Sequence, residues 1–181
     1  VVAIGVGVQD SEEVAFARLY ERHSSAVYAY ARRRSDVQVA EEVTARVFMV
    51  AWRRRAAVPA EDALPWLYGV ARRVLAEERR SERRRRSLGQ RLRDLGGREA
   101  EPVAAAGDGV LGAALARLSD ADREVLLLRY WEDLSPEQLV VALGCSRSAL
   151  AVRLHRARRR LAGALGDPGT PVLGHEEVGA A

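Results

Sequence analysis

The stretch that most constrains this chain is the run from Ser135 to Leu161, because it spells out two helices and the bend between them. Ser135-Pro136-Glu137-Gln138 places a capping hydroxyl first, proline at the first helical position, and glutamine three residues after the cap, where it can reach back to the free backbone N–H. Leu139, Val140 and Leu143 then give a short apolar face that stops at Gly144, a residue able to take the left-handed conformation that ends a helix. Ser146 can cap the next helix, whose inner stripe is Leu150, Leu154, Ala157 and Leu161. Two helices joined by a tight glycine turn form a helix-turn-helix.

Charge points to what this motif meets. All 29 basic residues are arginine, and the formal net charge is +4. Six of the arginines (Arg147, Arg153, Arg156, Arg158, Arg159 and Arg160) lie between Ser146 and Leu165 with no acid among them, whereas residues 111–145 carry three arginines against six acids. A recognition helix enters the major groove with its N-terminal part at the base edges, so Arg147, Arg153 and Arg156 are the candidates for base contact and the later arginines for phosphate. An arginine-rich solvated face in a protein-binding bundle would have the same composition. Cap, turn, stripe and charge agree on DNA. Ser119-Asp120-Ala121-Asp122 starts a further helix that packs behind the motif.

The first half of the chain reads as an amphipathic bundle. Phe16, Leu19, Tyr20, His23, Val27, Tyr30 and Ala31 fall at helical intervals, as do Ala40, Val43, Thr44, Val47 and Ala51, and again Leu64, Leu67, Tyr68, Ala71 and Leu75. Breaks at Ser35-Asp36 and Val58-Pro59-Ala60 separate the stripes, and Pro65 sits where a first helical turn tolerates it. Each stripe needs a partner, which predicts a three-helix or four-helix bundle ending near Arg86. From Ser87 to Gly109 the periodicity fades and glycines accumulate, which reads as a tether; residues 166–181 read as a disordered tail. The predicted fold is all-α: a bundle over residues 11–86, a flexible linker over 87–110 and a helix-turn-helix domain over 111–165.

The bundle carries a second basic constellation, since residues 11–86 hold 17 arginines against 11 acids. Pro65-Trp66-Leu67-Tyr68 is followed by Arg72-Arg73, Arg79-Arg80 and the run Arg83 to Arg86. Aromatic rings beside arginines suit unpaired bases, each stack being worth roughly 1–3 kcal/mol. A core role for Trp66 and Tyr68, with the arginines as a solvated helix end, is the competing reading. The single cysteine, Cys145, excludes an internal disulfide, and His23, His155 and His175 lack ligand spacing, so no metal or cofactor is expected. Val1 to Val8 is apolar but too short to span a bilayer, which needs about 20 residues. The reading is cytoplasmic with no membrane insertion. Neither paired carboxylates nor a nucleophile arrangement nor a phosphate-cradling glycine loop appears at meaningful spacing, so no enzyme is expected.

Four blocks in order then resemble the extracytoplasmic-function (ECF) sigma factors of RNA polymerase, across about residues 13–165. "FARLYERHSSAVYAYARRR" resembles the first conserved sigma segment, "AEEVTARVFMVAWRR" the helix that docks on the polymerase clamp, and "LPWLYGVARRVLAEERR" the segments that melt and read the minus-ten element. "LSDADREVLLLRYWEDLSPEQLVVALGCSRSALAVRLHRARRRL" resembles the domain that binds the minus-thirty-five element. The resemblance implies core RNA polymerase, through the clamp of its beta-prime subunit, and promoter DNA as partners, with an anti-sigma factor as a common restraint.

Position by position, it assigns Glu42, Arg46, Met49 and Arg53 to polymerase binding. Asp62, Trp66, Arg72, Arg73, Arg79 and Arg80 fall to the minus-ten element, with the loop 58–64 as a cradle for a flipped base beside Trp66 and Arg73. Ser146, Arg147, Arg153, Arg156 and Arg158 fall to the minus-thirty-five element. Arg46 stands where such factors commonly carry an acid, Arg73 where asparagine is frequent, and Val140 where alanine is usual. The alternative function is a helix-turn-helix regulator that acts without core polymerase, normally as a dimer on two half-sites.

Overall fold

The computed structural model describes the backbone of residues 6–93 and 109–166 and the side chains of residues 12–85 and 109–166. Every regular element among them is helical: α1 (Val6–Arg32), α2 (Val37–Arg53), a single 3-10 turn (Arg55–Ala57), α3 (Ala63–Arg93), α4 (Val110–Ala116), α5 (Asp120–Tyr130), α6 (Pro136–Leu143) and α7 (Arg147–Gly166). The tail expected after residue 166 and most of the expected linker lie outside the described residues.

Local chemistry sets the helix boundaries. Asp36 ends the break after α1 by accepting the Val39 N–H at 2.8 Å, which starts α2. The buried positions of α2 (Ala40, Val43, Thr44, Val47, Phe48 and Ala51) contain the predicted stripe, and the Thr44 hydroxyl is satisfied by the Ala40 carbonyl at 2.7 Å. Pro65 is buried in the first turn of α3, where its missing N–H has no intrahelical partner to lose. That helix runs past the boundary expected at Arg86 and ends at Arg93. Gly89 is tolerated there because one interior glycine costs only about 1 kcal/mol among arginine and leucine, which favour the helix.

The second half follows its caps closely. Ser119 accepts the Asp122 N–H at 3.2 Å, and Asp120 and Asp122 place negative charge at the positive end of α5. In α6 the capping box is complete: the Ser135 N–H donates to the Gln138 side chain at 2.9 Å and the Gln138 N–H to the Ser135 hydroxyl at 3.2 Å. Gly144 takes φ 63° and ψ 44°, and the Cys145 N–H reaches back to the Val140 carbonyl at 3.3 Å. Ser146 then accepts the Ala149 N–H at 3.2 Å and opens α7. Ser135→Ala removes one half of the capping box, and the expected loss is about 1 kcal/mol of stability, read as a shift in the urea midpoint at constant slope.

The apolar stripes of the two halves merge. α1, α2 and α3 pack on one another, α5, α6 and α7 do the same, and α6 also lies on α3, so the core runs unbroken from Val27 to Ala157. At this seam the Tyr30 and Tyr68 rings stack at 4.8 Å. Gly69 lies so close to α6 that a Cβ there would stand 2.9 Å from the Ala142 carbonyl oxygen. Nothing in the periodicity of either half predicted this contact.

Candidate nucleic-acid interface

On α7 the stripe Leu150, Ala157 and Ala164 is buried, with Leu154 and Leu161 half-buried beside it. At about 100° per residue, Arg153, Arg156 and Arg160 share one outward sector. Together with Ser148, Val152 and the N-terminus of α5 they line one shallow concave surface. Arg158 lies about 140° round the helix from Arg153. Its Nε donates to the Tyr130 hydroxyl at 2.7 Å, and its guanidinium also lies 5.6 Å from that ring centre. Ser146 caps the helix, and Arg147 stands exposed at its start, paired with Glu137 at 3.1 Å. The five predicted residues therefore divide: Arg153 and Arg156 form one face, Ser146 and Arg147 the helix tip, and Arg158 another side.

Arg160, grouped by sequence with the later arginines expected at phosphate, belongs to the Arg153 face. The seven-residue step from Arg153, two helical turns, was the signal that could have found it. Arg160 is paired with Asp122, whose side chain is almost wholly enclosed. Burial alone would raise the Asp122 pKa, but hydrogen bonds from Ser119 and Arg160 outweigh it and hold the carboxyl below its ordinary range.

The predicted minus-ten residues lie on and before α3 but are not equally accessible. Arg73 and Arg80 are exposed. Partial burial, then the charges of Arg72 and Arg54, lower the Arg73 pKa, which marks a spot crowded with positive charge. Trp66 is half-buried against the core. Arg72 donates to the Leu143 carbonyl at 3.3 Å, Arg79 to the Arg34 carbonyl at 3.3 Å, and Asp62 accepts the Gln138 amide at 2.8 Å.

The loop 58–64, expected to cradle a base, lines an open cleft of about 1070 Å³. Its opposite wall is α1, through Phe16, Leu19, Arg22 and His23, and Trp66 and Arg73 are not among its lining residues. Burial and the neighbouring Arg22 lower the His23 pKa against the opposing pull of Asp62. The α1 wall of this cleft has no local sequence signal, because its residues are far from the loop in sequence.

Of the four α2 residues expected at the polymerase clamp, Glu42, Met49 and Arg53 face solvent. Arg46 instead turns to α3, where it pairs with Glu77 at 2.6 Å and with Glu78. The charge that departs from the usual acid thus ties two helices together. Trp52 and Tyr20 are exposed near the same end of α2, edge-on to Phe16 at 5.0 Å and to Phe48 at 4.7 Å respectively. Among the described residues no helix is long and apolar enough to cross a membrane, and no group of three or more His, Cys, Asp or Glu could hold a metal ion.

Similarity to known proteins spans both halves of the chain. The family model described as Sigma-70, region 4 matches residues 109–161, the segment that carries α4 to α7. The ECF RNA polymerase sigma factor SigL of Mycobacterium tuberculosis is 33% identical over 161 residues, spanning 86% of this chain and 91% of that protein. The ECF RNA polymerase sigma factor BldN of Streptomyces coelicolor is 31% identical over 168 residues, spanning 88% of this chain and 63% of that one. Among solved structures, the sigma factor RpoE of Bartonella quintana, crystallised with the anti-sigma factor NepR, superposes with a TM-score of 0.56 at 25% identity, over 83% of this chain and 96% of RpoE. CnrH, solved with the cytosolic domain of CnrY, shares the fold with a TM-score of 0.58 at 22% identity, over 84% of this chain and 88% of CnrH. A helix-turn-helix with an arginine face, joined to a basic helical bundle and matched over 86% of its length by such a relative, places this chain among the ECF RNA polymerase sigma factors, the subunits that direct transcription initiation.

Proposed function

We propose that this sigma factor divides promoter recognition between its two halves. The unit over residues 11–86 grips the polymerase clamp through Glu42, Met49 and Arg53 and captures unpaired minus-ten bases at the α3 arginines and the cleft beside α1. The unit over 111–165 reads the minus-thirty-five duplex through Arg153 and Arg156, with Arg160 on the same face and Ser146 and Arg147 at phosphates near the helix start. Arg46 supports the clamp helix from behind. The span 87–110 tethers the two units, which raises the effective concentration of each and lets either half bind weakly alone.

The observation that carries this reading is the outward sector of α7, where Arg153 and Arg156 stand clear of the buried stripe. The chain acts by binding alone, in the cytoplasm. A restraining partner of the kind NepR is for RpoE fits the apolar and basic surface around Met49 and Trp52.

Purified chain mixed with core polymerase is expected to form a stoichiometric complex and to give promoter-dependent run-off transcripts. Sequencing those transcripts identifies the promoter. Failure of both assembly and transcription, together with operator binding as a dimer, would replace this reading with that of a polymerase-independent regulator.

A further inference from the structure

Glu77 and Glu78 interrupt the basic run of α3. At about 100° per residue, Arg73, Glu77 and Arg80 fall within a sector of about 60°, with Glu77 one turn after Arg73 and one turn before Arg80. A glutamate so placed is in reach of both arginines along its own helix. In the structure Glu77 pairs instead with Arg46 of α2 at 2.6 Å, and the other arm of the same guanidinium holds Glu78. Arg73 and Arg80 stay exposed, and the neighbouring charges that bear on Arg73 are those of Arg72 and Arg54, both positive.

Arg46 reaches this spot because of the way α2 packs. Val43 and Val47 are buried, and Arg46 rides half-buried on the edge of their stripe, facing α3. The Arg46, Glu77 and Glu78 side chains are 35%, 59% and 27% exposed, and ion pairs this open to water contribute little to stability. What they fix is the place of the charge. Without Arg46, the Glu77 carboxylate returns to the Arg73–Arg80 strip, where it competes for both guanidiniums and repels a phosphate backbone.

We infer that Arg46 is a positioning residue for capture of the unpaired promoter strand: it draws the Glu77 carboxylate toward α2 and leaves the Arg73 and Arg80 guanidiniums open to phosphate. This deepens the reading of Arg73 and Arg80 as minus-ten contacts and rests on it. Arg46 acts through Glu77 and does not itself touch the DNA.

The test uses holoenzyme formed with saturating chain, so that clamp affinity does not enter the isotherm. The probe is a labelled single-stranded DNA carrying the non-template minus-ten segment of the promoter found by transcript sequencing. Fluorescence anisotropy reads its binding at about 0.05 and about 0.3 M salt, which differ in how strongly they screen charges several ångströms apart. Arg46→Gln is expected to weaken binding about three- to tenfold at the lower salt, the range for one uncompensated charge near a bound phosphate, and less at the higher salt. Arg46→Gln with Glu77→Gln keeps the original net charge and removes the freed carboxylate, so affinity returns to within about twofold of the unaltered chain. Arg46→Gln with Glu41→Gln has the same net charge, but Glu41 is exposed about 140° round α2 from Arg46, so affinity stays low.

Full binding by Arg46→Gln overturns the inference. So does a loss that Glu77→Gln fails to restore, which marks a mechanical brace or a clamp contact, and so does equal restoration by Glu41→Gln, which marks an effect of overall charge. Arg73→Ala with Arg80→Ala separates the two readings. If that double variant binds like the unaltered chain, the minus-ten assignment fails and the role of Arg46 falls with it. If it loses binding while Arg46→Gln does not, the role of Arg46 alone fails.

Discussion

Changing Arg153 and Arg156 together to alanine is expected to cut transcription from the cognate promoter by about two orders of magnitude, since a good base contact is worth about 1–3 kcal/mol and each 1.4 kcal/mol is tenfold. Assembly with core polymerase is expected to stay unchanged. Both side chains lie away from the Leu150, Ala157 and Ala164 stripe, so their truncation removes ligand contacts without opening a cavity. Arg158→Ala is the informative control. That side chain lies on another side of α7 against Tyr130, where it can serve phosphate but not the same base edges. Its loss should weaken binding to all sequences alike and flatten the salt dependence. Run-off transcription beside native-gel assembly reads both effects, and unchanged promoter selection in the double variant would move recognition off this sector.

The largest effect on stability is expected from Leu139→Ala. Leu139 is fully buried in α6, at 0% exposure, and belongs to the core that continues into α3. Truncating a buried leucine removes transfer energy and leaves a cavity, at a cost of about 2–5 kcal/mol. Two residues along the same helix, Val141 is 48% exposed, and Val141→Ala should change stability by less than about 0.5 kcal/mol. Urea denaturation of the pair isolates packing from composition, because both substitutions remove apolar carbon from one short helix. A Leu139→Ala variant as stable as Val141→Ala would mean that the α6 face is not a core face.

The contrast between these two residues shows what was legible beforehand. Leu139 and Leu143 were read as an inward face from spacing alone, and they are buried. Ser135, Gln138, Gly144 and Ser146 behave as their chemistry predicts, because a cap satisfies backbone groups within a few residues of itself. The α7 surface was legible in part: Arg153 and Arg156 share a face as read, while Arg158 diverges and Arg160 joins them. Composition counted the arginines. Helical phase sorted them.

Arg46 shows the limit of position-by-position inference. Read as an outward clamp contact, it is paired across to Glu77 and Glu78, an association over sequence distance that no local pattern on α2 announces. The cleft wall from α1 was missed for the same reason, since Arg22 and His23 meet the loop before α3 only after the bundle has closed.

Sequence by itself determined the helices, their caps and their apolar stripes, and with them the basic helix-turn-helix, because these follow from interactions spanning one or two helical turns. Tertiary structure alone decided that α6 rests on α3 and that Arg33, Arg34, Glu124 and Glu132 close together at the seam. Those contacts join residues between 71 and 99 positions apart, where a charge or a glycine looks the same whether it faces water or another helix.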